Sequence, residues 1–229
     1  MAVTELVVIR HGESVGNAAA AQAYAADAEV IEVGARDPDV ELSALGREQA
    51  RALGRGLAPL LGDGVATLLW SSTYVRAQQT AQLSMTAAGA QQMIRLDERL
   101  RDRELGVLDL LTWTGVQNRF PEEAERRRWL GKFYHRPPGG ESWADVVLRV
   151  RSFLRDLDDL ADRSRVVIFC HYALVLCFRY VCEGLSEGEI LDIGARNPVQ
   201  NASITHLRRA QDGGWQVRLF NDVSHLGKA

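Results

Sequence analysis

A chain of 229 residues is long enough to form one α/β domain, or two smaller ones, and to bury about 70% of its unfolded surface without a disulfide or metal ion. Its 46% hydrophobic content is ordinary for a globular protein, and its net charge of −3 argues against a nucleic-acid-binding protein, which normally carries a basic excess. No signal peptide is visible, and no apolar run approaches the roughly 20 residues that span a bilayer, so we expect a soluble, cytoplasmic protein without a membrane partner.

The first half of the chain alternates strand and helix signals. Four consecutive large apolar residues, Leu6 to Ile9, are typical of a strand that is covered on both faces. The predicted elements are a strand over 5–10, a helix-prone stretch over 14–28, a loop over 33–41, a helix from its N-cap Ser43 to Gly62, a strand over 65–70 and a helix over 73–88 that ends at Gly89.

The second half continues the alternation after a charged stretch. Its predicted elements are an irregular segment over 96–107, a partly helical one over 116–133, a turn over 136–140, a long helix from Ser142 through Asp162, a strand over 165–170, a helix over 171–183 that ends at Gly184, and late strands over 203–207 and 215–220. This order predicts a three-layer α/β/α sandwich around a mostly parallel sheet. We expect a single domain over 1–229, with an insertion at about 99–140 that covers the site.

Three cysteines, Cys170, Cys177 and Cys182, lie in one apolar stretch near the third predicted strand. Their odd number indicates no disulfide framework, and their spacing does not fit a zinc site. Buried thiols in a reducing compartment are the simpler interpretation.

Charged and imidazole side chains follow the predicted strands where each strand ends. Arg10 and His11 end the first strand, His171 follows the third, and the helix after the second carries Arg76. Ligands of parallel α/β sheets bind at the carboxyl ends of the strands. We therefore expect two histidines and two arginines to converge on one tetrahedral anion.

This set of residue types suits phosphoryl transfer. The planar guanidinium of arginine binds phosphate oxygens in pairs and stays charged. A histidine nucleophile divides a difficult hydrolysis into two easier displacements, and a carboxylic acid must protonate the leaving oxygen. Asp102 and Glu104, in the charged segment after residue 100, are the candidate acids.

Four blocks of the sequence resemble the histidine phosphatase (phosphoglycerate mutase-like) superfamily. They are residues 10–14 (RHGES), 42–50 (LSALGREQA), 71–81 (SSTYVRAQQTA) and 169–173 (FCHYA). The resemblance implies a phosphoglycerate mutase-like fold, a covalent phosphohistidine at His11, and no metal or other cofactor. It also implies a phosphate pocket made of Arg10, Asn17, Arg76 and His171.

The proton donor of that family is usually a glutamate four residues before a glycine. Counting back from Gly106 reaches Asp102, so this chain departs from the family by one methylene. Asp102 is the predicted general acid, and Glu104 stays the alternative.

Residues 106–112, 120–124 (FPEEA) and 138–142 (PGGES) are similar in order and spacing to those of the fructose-2,6-bisphosphatase branch. Within the superfamily, the chain looks most similar to that branch. Arg128 and Lys132 fall where that branch holds the remote phosphate of its substrate, but Leu176 replaces an arginine there. Trp113 and Trp143 stand in place of tyrosines, which indicates a more apolar pocket for another phosphomonoester. The predicted substrate-binding residues are Glu104, Trp113, Arg128, Lys132, Trp143 and Tyr172.

Three functions remain open at this point. The first is a metal-independent phosphatase that hydrolyses a small phosphomonoester, and the second is a phosphoglycerate mutase that uses the same phosphohistidine. The third is a protein that binds a phosphorylated ligand without catalysis. In each case the expected partner is a small phosphorylated metabolite, and the sequence specifies no oligomeric state.

Overall fold

Six strands form one sheet in a computed structural model that describes residues 3–160 and 164–227. The strands are β1 (Glu5–Arg10), β2 (Thr67–Ser72), β3 (Ile94–Asp97), β4 (Arg165–Cys170), β5 (Ile204–Arg209) and β6 (Trp215–Asp222). Their order across the sheet is β3-β2-β4-β1-β5-β6. The first four strands in this order are mutually parallel, β5 pairs antiparallel with β1, and β6 pairs antiparallel with β5, which confirms the mostly parallel sheet.

Eight α-helices accompany the sheet in the described residues. They are α1 (Val15–Ala25), α2 (Ala44–Leu61), α3 (Val75–Ala88), α4 (Trp113–Arg119), α5 (Pro121–Tyr134), α6 (Trp143–Leu160), α7 (Tyr172–Glu183) and α8 (Glu187–Arg196). The predicted end signals act as expected: Ser43 caps α2, and Gly89 and Gly184 end α3 and α7 in the left-handed conformation. The predicted end of α6 at Asp162 lies outside the described residues.

Helices cover both faces of the sheet, which confirms the three-layer sandwich. Successive residues of β1 point to opposite faces, so Val7 and Ile9 belong to one core cluster with residues of α2 and α3. Leu6 and Val8 belong to a larger cluster with the apolar sides of α6 and α7. Burial on both sides explains the continuous apolar run of this strand.

Two regular elements were not predicted from the sequence. β3 falls partly in the segment predicted as irregular; it is a short edge strand whose middle residues, Arg95 and Leu96, are exposed, so it carries no apolar run. Helix α8 had a readable signal, because Ser186 and Glu189 form a capping box at its start. No helix within residues 3–160 and 164–227 has both the length and the apolar character that crossing a membrane requires.

Candidate active site

The ends of two neighbouring strands place two histidines side by side. In the parallel pair of β1 and β4, Arg10 lies opposite Cys170, so His11 and His171 follow at the same level of the sheet. Their ring centroids are 5.2 Å apart, edge to face. Both rings are almost fully buried, with 2% and 0% of the residue exposed. The structure therefore joins residues that lie 160 positions apart along the chain.

His11 is held as a neutral imidazole with its proton on Nδ1. Nδ1 lies 2.6 Å from the carbonyl oxygen of Gly12, which can only accept. The lone pair is thereby left on Nε2. Burial, reinforced by His171, Arg76 and Arg10, lowers the pKa of His11 well below its ordinary 6.5. The uncharged ring is the form in which histidine attacks phosphorus.

The loop after β1 packs directly on the start of α2 through two glycines. A Cβ on Gly12 would lie 2.6 Å from the carbonyl oxygen of Gly46, and a Cβ on Gly46 would lie 1.9 Å from that of Glu13. The Gly12 N–H donates to Thr80 Oγ1 at 3.0 Å, and this hydroxyl donates to the Arg76 carbonyl at 2.7 Å. The loop and the phosphate arginine on α3 are therefore fixed relative to each other.

Arg76 is buried between two carboxylates. Its Nη2 donates to Asp102 Oδ2 at 3.3 Å, and its Nη1 lies 2.9 Å from Asp37 Oδ1. Burial works against its charge, but Asp102 and Asp37 outweigh this, so the pKa of Arg76 is raised. Burial also raises the pKa of Asp37, although Arg76 opposes that shift. An incoming phosphoryl group therefore meets an arginine that is already paired with acids.

His171 has a buried ring nitrogen, Nδ1, without a hydrogen-bond partner in the described part of the chain. Its Nε2 lies 2.8 Å from Ser72 Oγ, a hydroxyl that already accepts from the Tyr74 N–H. In the tautomer in which this hydroxyl donates to Nε2, the ring proton lies on Nδ1. Nδ1 lies 3.4 Å from Asp102 Oδ2. Burial and Arg76 are the main reasons why the pKa of His171 is well below 6.5.

Arg10 and Asn17 complete the donors at the strand ends. Arg10 Nη1 donates to the carbonyl of Val199 at 2.6 Å, while its buried Nε has no partner among the residues that the structure describes. The guanidinium carbon lies 5.7 Å from the centre of the Tyr172 ring. Asn17 Oδ1 accepts from Asn201 at 3.0 Å and from the backbone at the start of α1. The amide N–H groups of Asn17 are left for the cavity that it lines.

Of the two candidate acids, Asp102 lies at the strand ends and Glu104 lies beside them. Asp102 Oδ2 is within 3.4 Å of both Arg76 Nη2 and His171 Nδ1. Glu104 Oε1 instead accepts from the Tyr74 hydroxyl at 2.7 Å. The geometry therefore favours Asp102 as the group that meets a leaving oxygen.

Three adjoining cavities form a cleft that starts at the strand ends, and Leu105 lines all three. The first, of about 220 Å³, is lined by the predicted residues Arg10, His11, Asn17, Arg76, Asp102 and Tyr172. The second, of about 300 Å³, is lined by Glu104, Lys132, Trp143 and again Tyr172. The third, of about 610 Å³, is lined by Trp113, Arg128 and again Lys132.

The third cavity is positively charged. Arg103 and Arg127 line it together with the predicted Arg128 and Lys132, and we call these four residues the cationic basin. No Asp or Glu is among its described lining residues. Burial and Arg127 lower the pKa of Arg103, and burial, Arg127 and Arg103 lower that of Lys132. Cations that repel one another in a partly buried cavity attract an anionic ligand.

Comparison of the sequence with models of known protein families identifies the family. The model of the histidine phosphatase superfamily (branch 1) matches residues 6–223. The chain belongs to this superfamily. Fructose-2,6-bisphosphatases are among its relatives over about half of its length, which supports the resemblance drawn from the motifs. Membership, together with the phosphatases among the relatives, identifies a phosphoric monoester hydrolase.

Two relatives and one solved structure illustrate the range of this histidine phosphatase family. A metal-independent phosphoserine phosphatase from Arabidopsis thaliana is 25% identical over 225 residues, 98% of this chain and 84% of the relative. A probable phosphoglycerate mutase from Enterobacter sp. (strain 638) is 30% identical over 194 residues, 82% of this chain and 84% of the relative. A mycobacterial glucosyl-3-phosphoglycerate phosphatase in complex with VO3 superimposes with a TM-score of 0.73 at 28% identity, covering 96% of this chain and 99% of that one.

Several supporting residues were missed by the sequence analysis. Thr80 had a signal, since it lies one helical turn after Arg76 on the same face of α3. Ser72 ends the second strand directly before the loop to that helix, so its place at the strand ends was readable. Asp37 had no local signal, because it lies in a loop and reaches Arg76 only through the fold.

Proposed function

We propose that this histidine phosphatase hydrolyses a small phosphomonoester through a phosphohistidine at His11, without a metal ion. The observation that carries the proposal is the state of His11: a buried, neutral ring whose Nδ1–H is bound to a carbonyl, beside two guanidinium groups and a second histidine. This arrangement prepares Nε2 for in-line attack and surrounds the phosphoryl oxygens with donors.

The reaction proceeds in two displacements. In the first, His11 Nε2 bonds to phosphorus, the ester P–O bond breaks, and Asp102 gives its proton to the departing oxygen. In the second, water attacks the phosphohistidine, and the Asp102 carboxylate takes the proton of that water. Arg10 and Arg76 hold the phosphoryl oxygens in both steps. The side-chain amide of Asn17 and the Nδ1–H of His171 donate to the same oxygens, and the alcohol formed in the first step leaves toward the second cavity.

The substrate that fits this cleft carries a second negative group. A phosphoryl group bound at the strand ends leaves the rest of the molecule in the second and third cavities, where the cationic basin lies. Arg127 packs over the Trp113 ring at 4.7 Å, and Lys132 Nζ lies 5.3 Å from the centre of the Trp143 ring. The indoles and Tyr172 are proposed to hold the apolar or sugar part between the two charged ends.

The segment at about 99–140 is proposed to act as the cover of this cleft. It includes α4 and α5 and supplies most of the lining of the third cavity. In a single domain over 1–229, such an insertion sets substrate preference while the sheet supplies the chemistry.

A phosphoglycerate mutase is the second candidate, because a relative at 30% identity carries that name. The two reactions differ only in whether water or bound substrate accepts the phosphoryl group from His11. The family resemblance implies that a mutase carries longer insertions that close the site, including a proline-rich loop. No such loop is visible in this sequence, and this favours hydrolysis.

The deciding experiment follows 3-phosphoglycerate, glycerol 3-phosphate and fructose 1,6-bisphosphate with the purified protein and with His11→Ala. We expect free phosphate from the wild type and none from the variant. Formation of 2-phosphoglycerate without release of phosphate would show that the protein is a mutase and not a phosphatase. Phosphate release by His11→Ala at the rate of the wild type would show that His11 takes no part in the reaction.

A further inference from the structure

The segment that carries Asp102 has no strand or helix to hold it. Residues 101–105 follow a short 3-10 helix and form no regular hydrogen-bonded structure. Asp102 is also one methylene shorter than the glutamate implied by the family resemblance. A short acid reaches the leaving oxygen only if its own backbone is fixed, so the support of this segment bears directly on catalysis.

One buried arginine supplies that support. Arg149, on α6, has 9% of its side chain exposed. Its Nη1 donates to the carbonyl oxygens of Arg99 and Arg101 at 2.6 and 2.8 Å, and its Nη2 donates to the carbonyl oxygen of Asp102 at 3.0 Å. The two remaining N–H groups bind both oxygens of Glu141, each at 3.0 Å. All five donors of the guanidinium are therefore used.

Glu141 also forms hydrogen bonds with the segment that carries Asp102. Its carboxylate accepts from Arg101 Nη2 at 2.7 Å and from the Glu104 N–H at 3.1 Å. Its backbone carbonyl accepts from Arg103 Nε at 2.7 Å, and its own N–H donates to the Glu104 carbonyl at 2.9 Å. Every residue from 101 to 104 is thus bonded to Arg149 or to Glu141.

We propose that the Arg149–Glu141 pair positions Asp102 for proton transfer to the leaving group, a role that rests on the proposed function. Arg149 lines none of the three cavities of the cleft, so it acts through Asp102 and is a positioning residue. Lysine cannot replace it, because three donors on one nitrogen do not span carbonyls of three residues and a carboxylate.

The test compares leaving groups. Proton donation matters for a basic leaving oxygen and hardly for an acidic one. We therefore measure kcat/KM, which reports phosphoryl transfer to His11, for phenyl phosphate and for 2,4-dinitrophenyl phosphate. Arg149→Lys is expected to lose about 10- to 100-fold on phenyl phosphate and less than about threefold on the dinitrophenyl ester. Asp102→Asn should show the same pattern, and Arg149→Lys should add nothing to it in the double variant.

The control is Arg151→Lys, an exposed arginine two residues further along the same helix, which should change neither ester. If Arg149→Lys fails to fold, Glu141→Gln is measured in its place with the same expectation. Equal losses on both esters, or no loss on either, would overturn the positioning role. If Asp102→Asn loses no more on phenyl phosphate than on the dinitrophenyl ester, Asp102 is not the acid and the proposal fails with it. A wild type that releases phosphate neither from these esters nor from the three substrates of the deciding experiment would instead refute the proposed function.

Discussion

Replacing Arg127 by glutamine tests whether the cationic basin holds a second negative group of the substrate. Arg127 is half-buried in α5, packs over Trp113, and lies next to Arg103 and Lys132, whose pKa values it lowers. The variant keeps a polar side chain but removes the charge, and with it the charged hydrogen bond to the substrate. Arg126→Gln is the matched control, because the neighbouring Arg126 is exposed and does not line this cavity.

The size of the effect follows from the lost hydrogen bond. A hydrogen bond to a charged group contributes about 1.5–3 kcal/mol, so its loss corresponds to about 10- to 150-fold in kcat/KM. Since Arg103 and Lys132 remain, we expect the lower end of this range, about tenfold. The free protein should not lose stability, because one of several mutually repelling cations is removed.

The assay uses substrate pairs that differ only in the second charge. One pair is 3-phosphoglycerate against glycerol 3-phosphate, and a longer pair is fructose 1,6-bisphosphate against fructose 6-phosphate. Arg127→Gln should lower kcat/KM for the doubly anionic member of whichever pair spans the cleft, and leave its partner unchanged. An equal loss on both members, or the same loss in Arg126→Gln, would refute the assignment of the basin.

Three further outcomes are expected. Asp37→Asn should lower the Ki of inorganic phosphate about fivefold, because a partly exposed ion pair contributes about 1 kcal/mol and phosphate no longer displaces a carboxylate from Arg76; an unchanged Ki would contradict this. His11 and His171 are neutral in the folded protein with pKa values well below 6.5, whereas unfolded histidines gain protons as the pH falls through 6.5. The free energy of unfolding from urea titrations should therefore fall as the pH is lowered from 7 to 5.5, by up to about 1.4 kcal/mol per ring and pH unit. The fall should be smaller in His171→Gln, which has one ring fewer. Over the range above pH 6, kcat/KM should show no loss from protonation of His11. Phosphatase activity should survive dialysis against EDTA, and a loss restored by added Mg²⁺ or Zn²⁺ would overturn metal independence.

Much of the fold was predictable because its elements follow local rules. The apolar run of β1 and the glycines after α3 and α7 are each explained by a few adjacent residues. β3 was not predictable in this way, since its exposed edge position lets charged and apolar residues alternate without a buried face.

The centre of the site was predictable for a different reason. Two of its residues, His11 and His171, directly follow strands, and Arg76 lies at the start of the helix after β2. Parallel strands bring such positions together at one edge of the sheet. The ion pair of Asp37 and the three hydrogen bonds from Arg149 to backbone carbonyls of residues 99–102 join segments that are distant in sequence. They depend on how loops fold over the sheet, which no local pattern specifies.

The basin was predicted in part. Arg128 and Lys132 came from the resemblance, and the structure adds Arg103 and Arg127 to the same cavity. A run of three arginines, 126–128, looks like a solvated helix face in sequence. Only the packing of α5 distinguishes the half-buried Arg127 from its exposed neighbours.

A rapid-quench experiment with a ³²P-labelled substrate tests the covalent step most directly. We expect acid-labile, base-stable label on the protein within the first turnover, located at His11 by digestion and mass spectrometry, and lost when His11 is replaced by alanine. Multiple turnovers of phosphate release without any labelled protein, or label on another residue, would contradict a phosphohistidine at His11.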